Sequence, residues 1–537
     1  MPPLIRALLT DPACYDHPVE MLELVETHIS WVVLTGVYAY KIKKPVNLGF
    51  LDFSTLELRQ QDCIDELRLN RRLAADIYLD VVAITGSIDA PRINAPPLLN
   101  PPPHAGEGAN ESQREVNDNE ILEYAVKMRQ FPGDATMDHL AERGELGNMQ
   151  IDALAARLAH FHMFECEKAP ADSPWGDAAA IARPVVENFQ LLSSRLEEPT
   201  ECRLLAALQS WCETEHARLA SLMRERKRQG WVRECHGDLH LANLAWVDGR
   251  LVIFDCLEFN PALRWIDVIS EVAFCYMDLL HRKYAGLAQR FLNAWLEAAG
   301  DYQGVALLRY YAVYRALVRA KVAALRAEQV ADKTFLQSAR AEVTSCMQLA
   351  EQLARIHSPF SLPPSLYITH GLSGSGKTTL SQTLLEKRGM IRLRSDVERK
   401  RLAGLAAQAK SGGDIGEGLY SQDSSRRTYE HLAQLAEGLL AAGWPVIVDA
   451  AFLERDQRDL FRDLAQRLGV DFQILHIQAD PATLRERVRQ RQIEHRDASE
   501  ADLRVLQHQL ESVQPLGADE MNVVTQLSAV SGLTELI

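Results

Sequence analysis

The sequence predicts two domains of different class: an α+β domain over residues 1–352 and an α/β domain with a parallel sheet over 365–537. Three observations carry this expectation. Residues 26–130 are strand-rich in pattern, with one helical stretch from about Ser54 to Ala75. Residues 131–352 read as mostly helical, and strands followed by helices are the order of an α+β fold. From 365 onward, apolar runs at 366–369, 391–394, 446–448, 473–477 and, more weakly, 522–525 alternate with helical segments, as parallel strands covered by helices do. A Pro-rich junction, Ser358-Pro359-Phe360-Ser361-Leu362-Pro363-Pro364, separates the two and is read as the heart of a linker over 353–364.

Within the first domain the strands make an N-terminal lobe, 1–130. A stretch at 90–119, with Pro96-Pro97 and Pro101-Pro102-Pro103, is expected to be a disordered surface insertion. The helical lobe, 131–352, shows amphipathic patterns at 149–166, 200–228, 262–298 and 305–355, with strands near 244–254. At 47% hydrophobic and 24% charged residues, the composition is that of a globular protein with ample core. The chain lacks the roughly 18-residue apolar run that a membrane span needs. The start, Met1-Pro2-Pro3-Leu4-Ile5-Arg6, lacks a signal peptide's apolar stretch. Nine cysteines without a C-x-x-C pair read as reduced thiols, which implies a cytoplasmic protein. A net charge of −15 argues against broad, charge-driven binding to nucleic acid or membranes.

The second domain opens with Gly371-Leu372-Ser373-Gly374-Ser375-Gly376-Lys377-Thr378, a complete G-x-x-x-x-G-K-[ST] phosphate loop, followed by Thr379. It lies between the apolar run 366–369 and a helical segment from Thr379 to Lys387, the context the motif requires. The backbone amides of such a loop and the positive end of the next helix cradle phosphates. Lys377 is placed to neutralise β/γ-phosphates and Thr378 to ligate Mg²⁺. Asp449, closing the run Val446-Ile447-Val448, is a second candidate for the metal. Asp396 follows the run 391–394, where open α/β sheets bind ligands, and is placed to accept the proton of an attacking hydroxyl. Arg399, one turn on, is placed to hold the acceptor or a phosphate. Arg487 and Arg491 share one helix face, as do Arg485 and Arg489; arginines beside a transferring phosphoryl group stabilise its charge.

Together these features resemble the small P-loop kinases, a group that includes gluconate and nucleoside kinases, zeta toxins and the 5′-hydroxyl polynucleotide kinases. Asp396 and Arg399 resemble the acceptor-site Asp-x-x-Arg of the polynucleotide kinases, and Arg487 and Arg491 the arginines of a mobile lid. The resemblance implies a P-loop NTPase fold using ATP and Mg²⁺, with Ser373 to Thr379 as the phosphate cradle.

The first domain carries its own constellation, His236-Gly237-Asp238-Leu239-His240-Leu241-Ala242-Asn243, then Asp255 after a strand. In H-x-D-x-x-x-x-N the Asp suits the acceptor hydroxyl, while the Asn and a second Asp suit Mg²⁺. His236 is placed to brace the loop. The cluster resembles the catalytic loop of the aminoglycoside phosphotransferase and choline kinase group, which has a protein-kinase-like, bilobal fold. By that resemblance, Lys41 is the phosphate-binding lysine, with Lys43 on the same strand face as its rival, and Glu66 is its ion-pair partner. The strand Glu123-Tyr124-Ala125-Val126-Lys127-Met128 resembles the approach to the hinge where adenine sits. Two departures stand out: Thr27-His28-Ile29-Ser30 replaces a glycine-rich loop, and Cys256-Leu257 replaces the Phe-Gly that often follows the second Asp.

The whole resembles bacterial fusions of an aminoglycoside phosphotransferase-like domain with a P-loop kinase domain. The resemblance implies a two-domain ATP-dependent phosphotransferase acting on hydroxyls of small molecules. One alternative is a C-terminal polynucleotide 5′-hydroxyl kinase, with Arg392, Arg394, Arg399, Lys400 and Arg401 lining a channel to Asp396. Another is an N-terminal domain that binds ATP as a regulatory module with little catalysis.

Overall fold

Alternation of side chains along the first strands decides the first sheet. In the computed structural model the described residues are 1–47, 51–93, 121–329, 332–355, 362–407, 409, 421–494, 499 and 501–528. From 94 on, the expected insertion lies outside them, as do 356–361 of the expected linker. Strands β1 (Glu23–Glu26), β2 (Ser30–Leu34), β3 (Tyr38–Lys43), β4 (Tyr78–Ser87), β5 (Ala90–Ile93) and β6 (Ile121–Arg129) form one sheet in the order β1-β2-β3-β6-β4-β5. Every pairing in it is antiparallel. Helix α1 (Pro3–Thr10) covers one face, packing Ile5 and Leu8 with Val33, Tyr40, Ile42, Val82 and Ile84. Helix α2 (Leu56–Ala74) covers the other, packing Cys63, Leu67 and Ala74 with Val81, Ala83, Tyr124 and Val126. With Tyr40 and Ile42 on the α1 side, the period of two sends Lys41 and Lys43 toward α2. The strand-rich pattern begins at 26; α1 and the start of β1 lie before it.

The same compact unit, Met1–Leu146 with Glu165–Trp175 and Gly230–Ile266, holds α3 (Met137–Glu142) and the short pair β7 (Val232–Glu234) and β10 (Trp265–Asp267). It also holds the hairpin β8 (Leu244–Val247) and β9 (Arg250–Ile253), and α7 (Pro261–Arg264).

A second unit comprises Gly147–Phe164, Gly176–Gln229 and Asp267–Ile537. Its first helices are α4 (Asn148–His160), α5 (Ala178–Ser193), α6 (Pro199–Arg228), α8 (Val268–His281), α9 (Ala285–Ala299), α10 (Val305–Gln329) and α11 (Lys333–Arg355). The pattern over 262–298 therefore contains a break: Lys283, at φ +69°, ends α8 before α9 begins. Helix α8 is not amphipathic as expected, for Val268 to Leu280 are all buried. Buried Arg226 of α6 ties down the start of α8 and the turn after α9, through Asp267 (2.7 Å) and Asp301 (2.6 Å).

The later part of this unit is a five-stranded parallel sheet: β11 (Ser365–His370), β12 (Ile391–Arg394), β13 (Val446–Asp449), β14 (Asp471–Gln478) and β15 (Val524–Ser528). The order is β12-β13-β11-β14-β15. The weak run at 522–525 is realised slightly late, as β15. Helices α12 (Lys377–Arg388), α13 (Ser395–Leu402), α14 (Gln422–Ala441), α15 (Arg455–Leu468), α16 (Pro481–Glu494) and α17 (Leu503–Ser512) follow and cover the strands. Pairing Ile368 with Val448 sets the carboxyl ends of β11 and β13 side by side, which brings the glycine-rich loop next to Asp449. Among the described residues no helix is long and apolar enough to cross a membrane. All nine cysteines are free thiols.

Candidate active sites

In the first unit the inward face of β3 meets α2, where Asp62 and Glu66 lie one turn apart. Glu66 bridges both lysines, with Oε1 2.8 Å from Lys41 Nζ and Oε2 2.6 Å from Lys43 Nζ. Lys41 also reaches Asp255 at 2.6 Å. Lys43 lies deeper, against Asp62 at 2.7 Å and against Glu258. Burial alone would raise the Glu66 carboxyl, but the two ammonium groups hold it down to about 2. Two lysines do not balance three buried carboxylates, and the surplus appears at Glu258. Burial pushes Glu258 up to about 8, Lys43 opposing only in part. Of the two rivals, Lys41 is the one in contact with Asp255. Asp62, Lys43 and Glu258 were not singled out as a cluster in sequence; the i, i+4 spacing of Asp62 and Glu66 was the available signal.

Asp255 adopts φ +62°, and neighbouring side chains pin its loop. The Asp255 amide donates to Tyr78 Oη at 3.1 Å and the Cys256 amide to Asn70 Oδ1 at 2.8 Å. The Leu257 amide donates to His236 O at 3.0 Å. These bonds hold the segment where Phe-Gly is absent. His236 braces the loop 236–243: with Nε2 donating to Phe254 O at 2.8 Å, Nδ1 accepts the Asp238 amide at 3.3 Å. Asn243 Nδ2 donates to Asp238 O (2.9 Å) and Oδ2 (3.1 Å), which leaves the Asp238 carboxylate oriented and about one-third exposed. Phe254 packs edge-on to Phe131 just past β6, and Glu123 at the start of β6 is paired with Arg59 at 2.8 Å. At the β1–β2 turn, the Thr27 amide donates to Ser30 O (2.9 Å) and the Ser30 amide to Thr27 Oγ1 (2.9 Å), so two amides of this glycine-free tip are already engaged.

In the second unit a cleft of about 940 Å³ is lined by Ser373 to Leu380, Arg394, Asp396, Arg399, Asp449, Arg487 and Arg491, among others. Two glycines are required by geometry. Gly376 caps α12 at φ +101°, and a Cβ on Gly371 would stand 2.7 Å from Ile477 O. Lys377 Nζ donates to Gly371 O (2.9 Å) and Leu372 O (2.8 Å), and the Ser373 amide donates to Gln509 Oε1 of α17 (2.8 Å). Asp449 is buried and accepts from Ser381 Oγ at 3.2 Å. Asp396 lies in the first turn of α13, whose N-cap is Arg394, and pairs with Arg399 at 3.5 Å. Arg487 Nη1 donates to Gly374 O at 3.3 Å and Arg491 Nη2 to Ala501 O at 2.8 Å. Arg485 and Arg489 take the opposite, exposed side of α16.

The expected row of cations is dispersed. Arg392 and Arg394 pair with Glu297 (3.2 and 2.9 Å), Arg401 pairs with Glu398, and Lys400 Nζ donates to Ala407 O at 3.0 Å. Only Arg394 and Arg399 of the five line the cleft. Oxygen donors suited to Mg²⁺ are present in both units. Thr378 and Asp449 share the cleft in one, and in the other Asn243 closes the loop 236–243 and Asp255 follows β9.

Comparison with known proteins finds two families in one chain. Residues 115–308 match the phosphotransferase enzyme family, and residues 366–516 match an AAA domain. Uncharacterized proteins of Mycobacterium tuberculosis and Mycobacterium bovis are 28% identical over 458 residues, covering 85% of this chain and 84% of theirs. A choline/ethanolamine kinase family protein from Mesorhizobium loti covers 64% of this chain and 93% of its own at 14% identity and TM-score 0.37. A gluconokinase from Sinorhizobium meliloti 1021 covers 32% of this chain and 86% of its own at 21% identity and TM-score 0.23.

Proposed function

We propose that this chain, a phosphotransferase-family domain fused to a C-terminal P-loop kinase domain, holds two ATP-dependent sites that each transfer the γ-phosphoryl group to a hydroxyl of a small molecule. The observation that carries the reading is convergence in one cleft: Lys377, Thr378, Asp449, Asp396, Arg399 and Arg487 come from four separate elements yet face the same space. Mg·ATP, when bound, would supply the phosphoryl group and a metal charge to offset that of its phosphates. In the P-loop domain Lys377 exchanges its loop carbonyls for phosphate oxygens, and Asp396 accepts the acceptor's proton. Arg487 and Arg491 stabilise the charge that spreads over the transferring group. In the phosphotransferase-family domain Asp238 takes the acceptor proton, and Lys41, held by Glu66, neutralises phosphate. Asn243 and Asp255 are the residues that would hold the metal. Positioning and electrostatics then supply most of the catalysis.

The paired cations around Glu297 favour a compact acceptor over a polynucleotide, because a strand-binding groove needs cations facing solvent. The self-bonded turn at Thr27 and Ser30 supports a second reading for the first domain only, a nucleotide-gated module of slow turnover. The test is transfer of label from γ-labelled ATP with Mg²⁺ into a fractionated bacterial extract, comparing the unaltered chain with Asp238→Asn and Lys377→Ala. A labelled small molecule lost in one variant alone assigns that acceptor to one domain. Label that enters polynucleotide and disappears with Lys377→Ala sinks the small-molecule reading of the P-loop domain. Tight nucleotide binding with label in no fraction would replace transfer by the gated module.

A further inference from the structure

Strand β12 is an edge of the parallel sheet, yet its outer side is covered. An edge strand exposes amides and carbonyls that need partners. Here the partner is a single side chain of α9. Asn293, 3% exposed, donates from Nδ2 to Met390 O at 3.0 Å and accepts the Arg392 amide on Oδ1 at 2.7 Å. One turn further along α9, Glu297 Oε2 holds Arg392 Nη2 at 3.2 Å and Oε1 holds Arg394 Nη1 at 2.9 Å. The Arg401 guanidinium donates to Glu297 O and closes the end of the helix.

Arg394 is where this seam meets the cleft. It is the N-cap residue of α13, whose first turn carries Asp396, and it lines the same cleft as the phosphate loop. Its guanidinium stands between two carboxylates, with Glu297 at 2.9 Å and Asp449 Oδ2 at 4.0 Å. Both carboxylates are largely buried, so the competition between them is weakly screened. Arginine binds carboxylate through a fork that occupies its oxygens. Were Arg394 to close on Asp449, it would occupy an oxygen that a hard cation needs.

From this arrangement we propose that Glu297 is a positioning residue for the P-loop site. By holding Arg394 it keeps Asp449 open to Mg²⁺ and anchors the start of α13. The inference rests on the reading of that cleft as a Mg–nucleotide site. It also means that a helix within the phosphotransferase-family match, 115–308, sets the metal requirement of the AAA-domain match, 366–516.

The experiment is a Mg²⁺ titration of binding of a fluorescent N-methylanthraniloyl ATP to the full chain. Signal that persists in Lys377→Ala is subtracted to isolate the P-loop site. Glu297→Gln is expected to raise the Mg²⁺ midpoint about fivefold, the size of a partly buried ion pair with Asp449 closing from its present 4.0 Å. Because Glu297→Gln also leaves buried Arg392 without its carboxylate, Glu297→Asp is run beside it. Asp keeps a negative charge in the seam but draws back from Arg394, and a rise of about twofold or more is expected. Adding Arg394→Gln to either variant should return the midpoint to the original value, since no guanidinium is left to compete. A purely structural role for Glu297 would lower the melting temperature and leave the midpoint in place. Midpoints unchanged in the folded variants, or a shift that survives Arg394→Gln, overturn the proposal. Absence of any Lys377-dependent binding in the unaltered chain overturns the reading of the cleft itself, and this inference with it.

Discussion

Replacing Asn293 by leucine should open the edge of β12. Leucine has the same branched heavy-atom skeleton, its methyl groups being somewhat larger, and a higher helix propensity, so the amide is the main group lost. On the inner side of β12 the Ile391 amide already donates to Pro445 O, so Met390 O and the Arg392 amide are the groups that face α9. Both residues are buried, at 1% and 8% exposure. Each orphaned group costs about 1–2 kcal/mol, giving about 2–4 kcal/mol for the pair. If that cost appears as local opening, exchange at the Arg392 amide accelerates on the order of 30- to 1000-fold. Hydrogen–deuterium exchange mass spectrometry on the full chain reads this in peptides spanning 390–394, with the central strand β11 as internal reference. Acceleration below about threefold at Arg392 would refute the reasoning, because it would mean that solvent or another group already satisfies this edge. Equal acceleration in β11 would refute it differently, by showing global rather than local loosening.

Two further outcomes follow from the sites. Glu258 is raised to about 8 in the fold from an ordinary 4.5, so the stability its proton confers is complete below 4.5 and fades as pH climbs toward 8. Scanning calorimetry should show the melting temperature falling over that window, less steeply in Glu258→Gln; equal slopes would remove Glu258 as the cause. Glu66, held at about 2, acts in the opposite sense, its contribution being lost only as pH falls from 4.5 toward 2, outside that window. On α16, Arg487→Ala should cut Lys377-dependent ATP turnover about 100-fold or more, since Arg487 lines the cleft. Arg489→Ala should stay within about twofold, since Arg489 pairs with Glu486 on the exposed side. Similar losses for both would count against a facing role for Arg487.

The phosphate loop was legible because its chemistry is contiguous: eight successive residues carry the glycines, the lysine and the hydroxyl, and strand and helix must flank them. The strands around it were legible from apolar runs, and the split between Arg487/Arg491 and Arg485/Arg489 from helical period alone. Other parts were hidden for an equally physical reason. Lys43 looked like a rival to Lys41 because both share a strand face, and nothing local told which would meet Asp255, more than two hundred residues away. The buried position of α8 was obscured because its acidic residues, Glu271 and Asp278, mimic a polar face.

What the sequence by itself determined is therefore local pattern: a phosphate-loop motif, an H-x-D-x-x-x-x-N motif, and the periodicities of the described strands and helices of the parallel-sheet region. Tertiary structure decided how distant polar side chains share charge. It set Lys41 rather than Lys43 against Asp255, and tied Arg392 and Arg394 to Glu297, with only Arg394 of the two still lining the cleft. It also gave Asn293 the task of finishing a sheet edge. Asn293 and Glu297 look like ordinary polar residues of an amphipathic helix. Only burial against β12, about a hundred residues on, makes their hydrogen bonds costly to lose, and that cost belongs to the folded environment rather than to any local pattern.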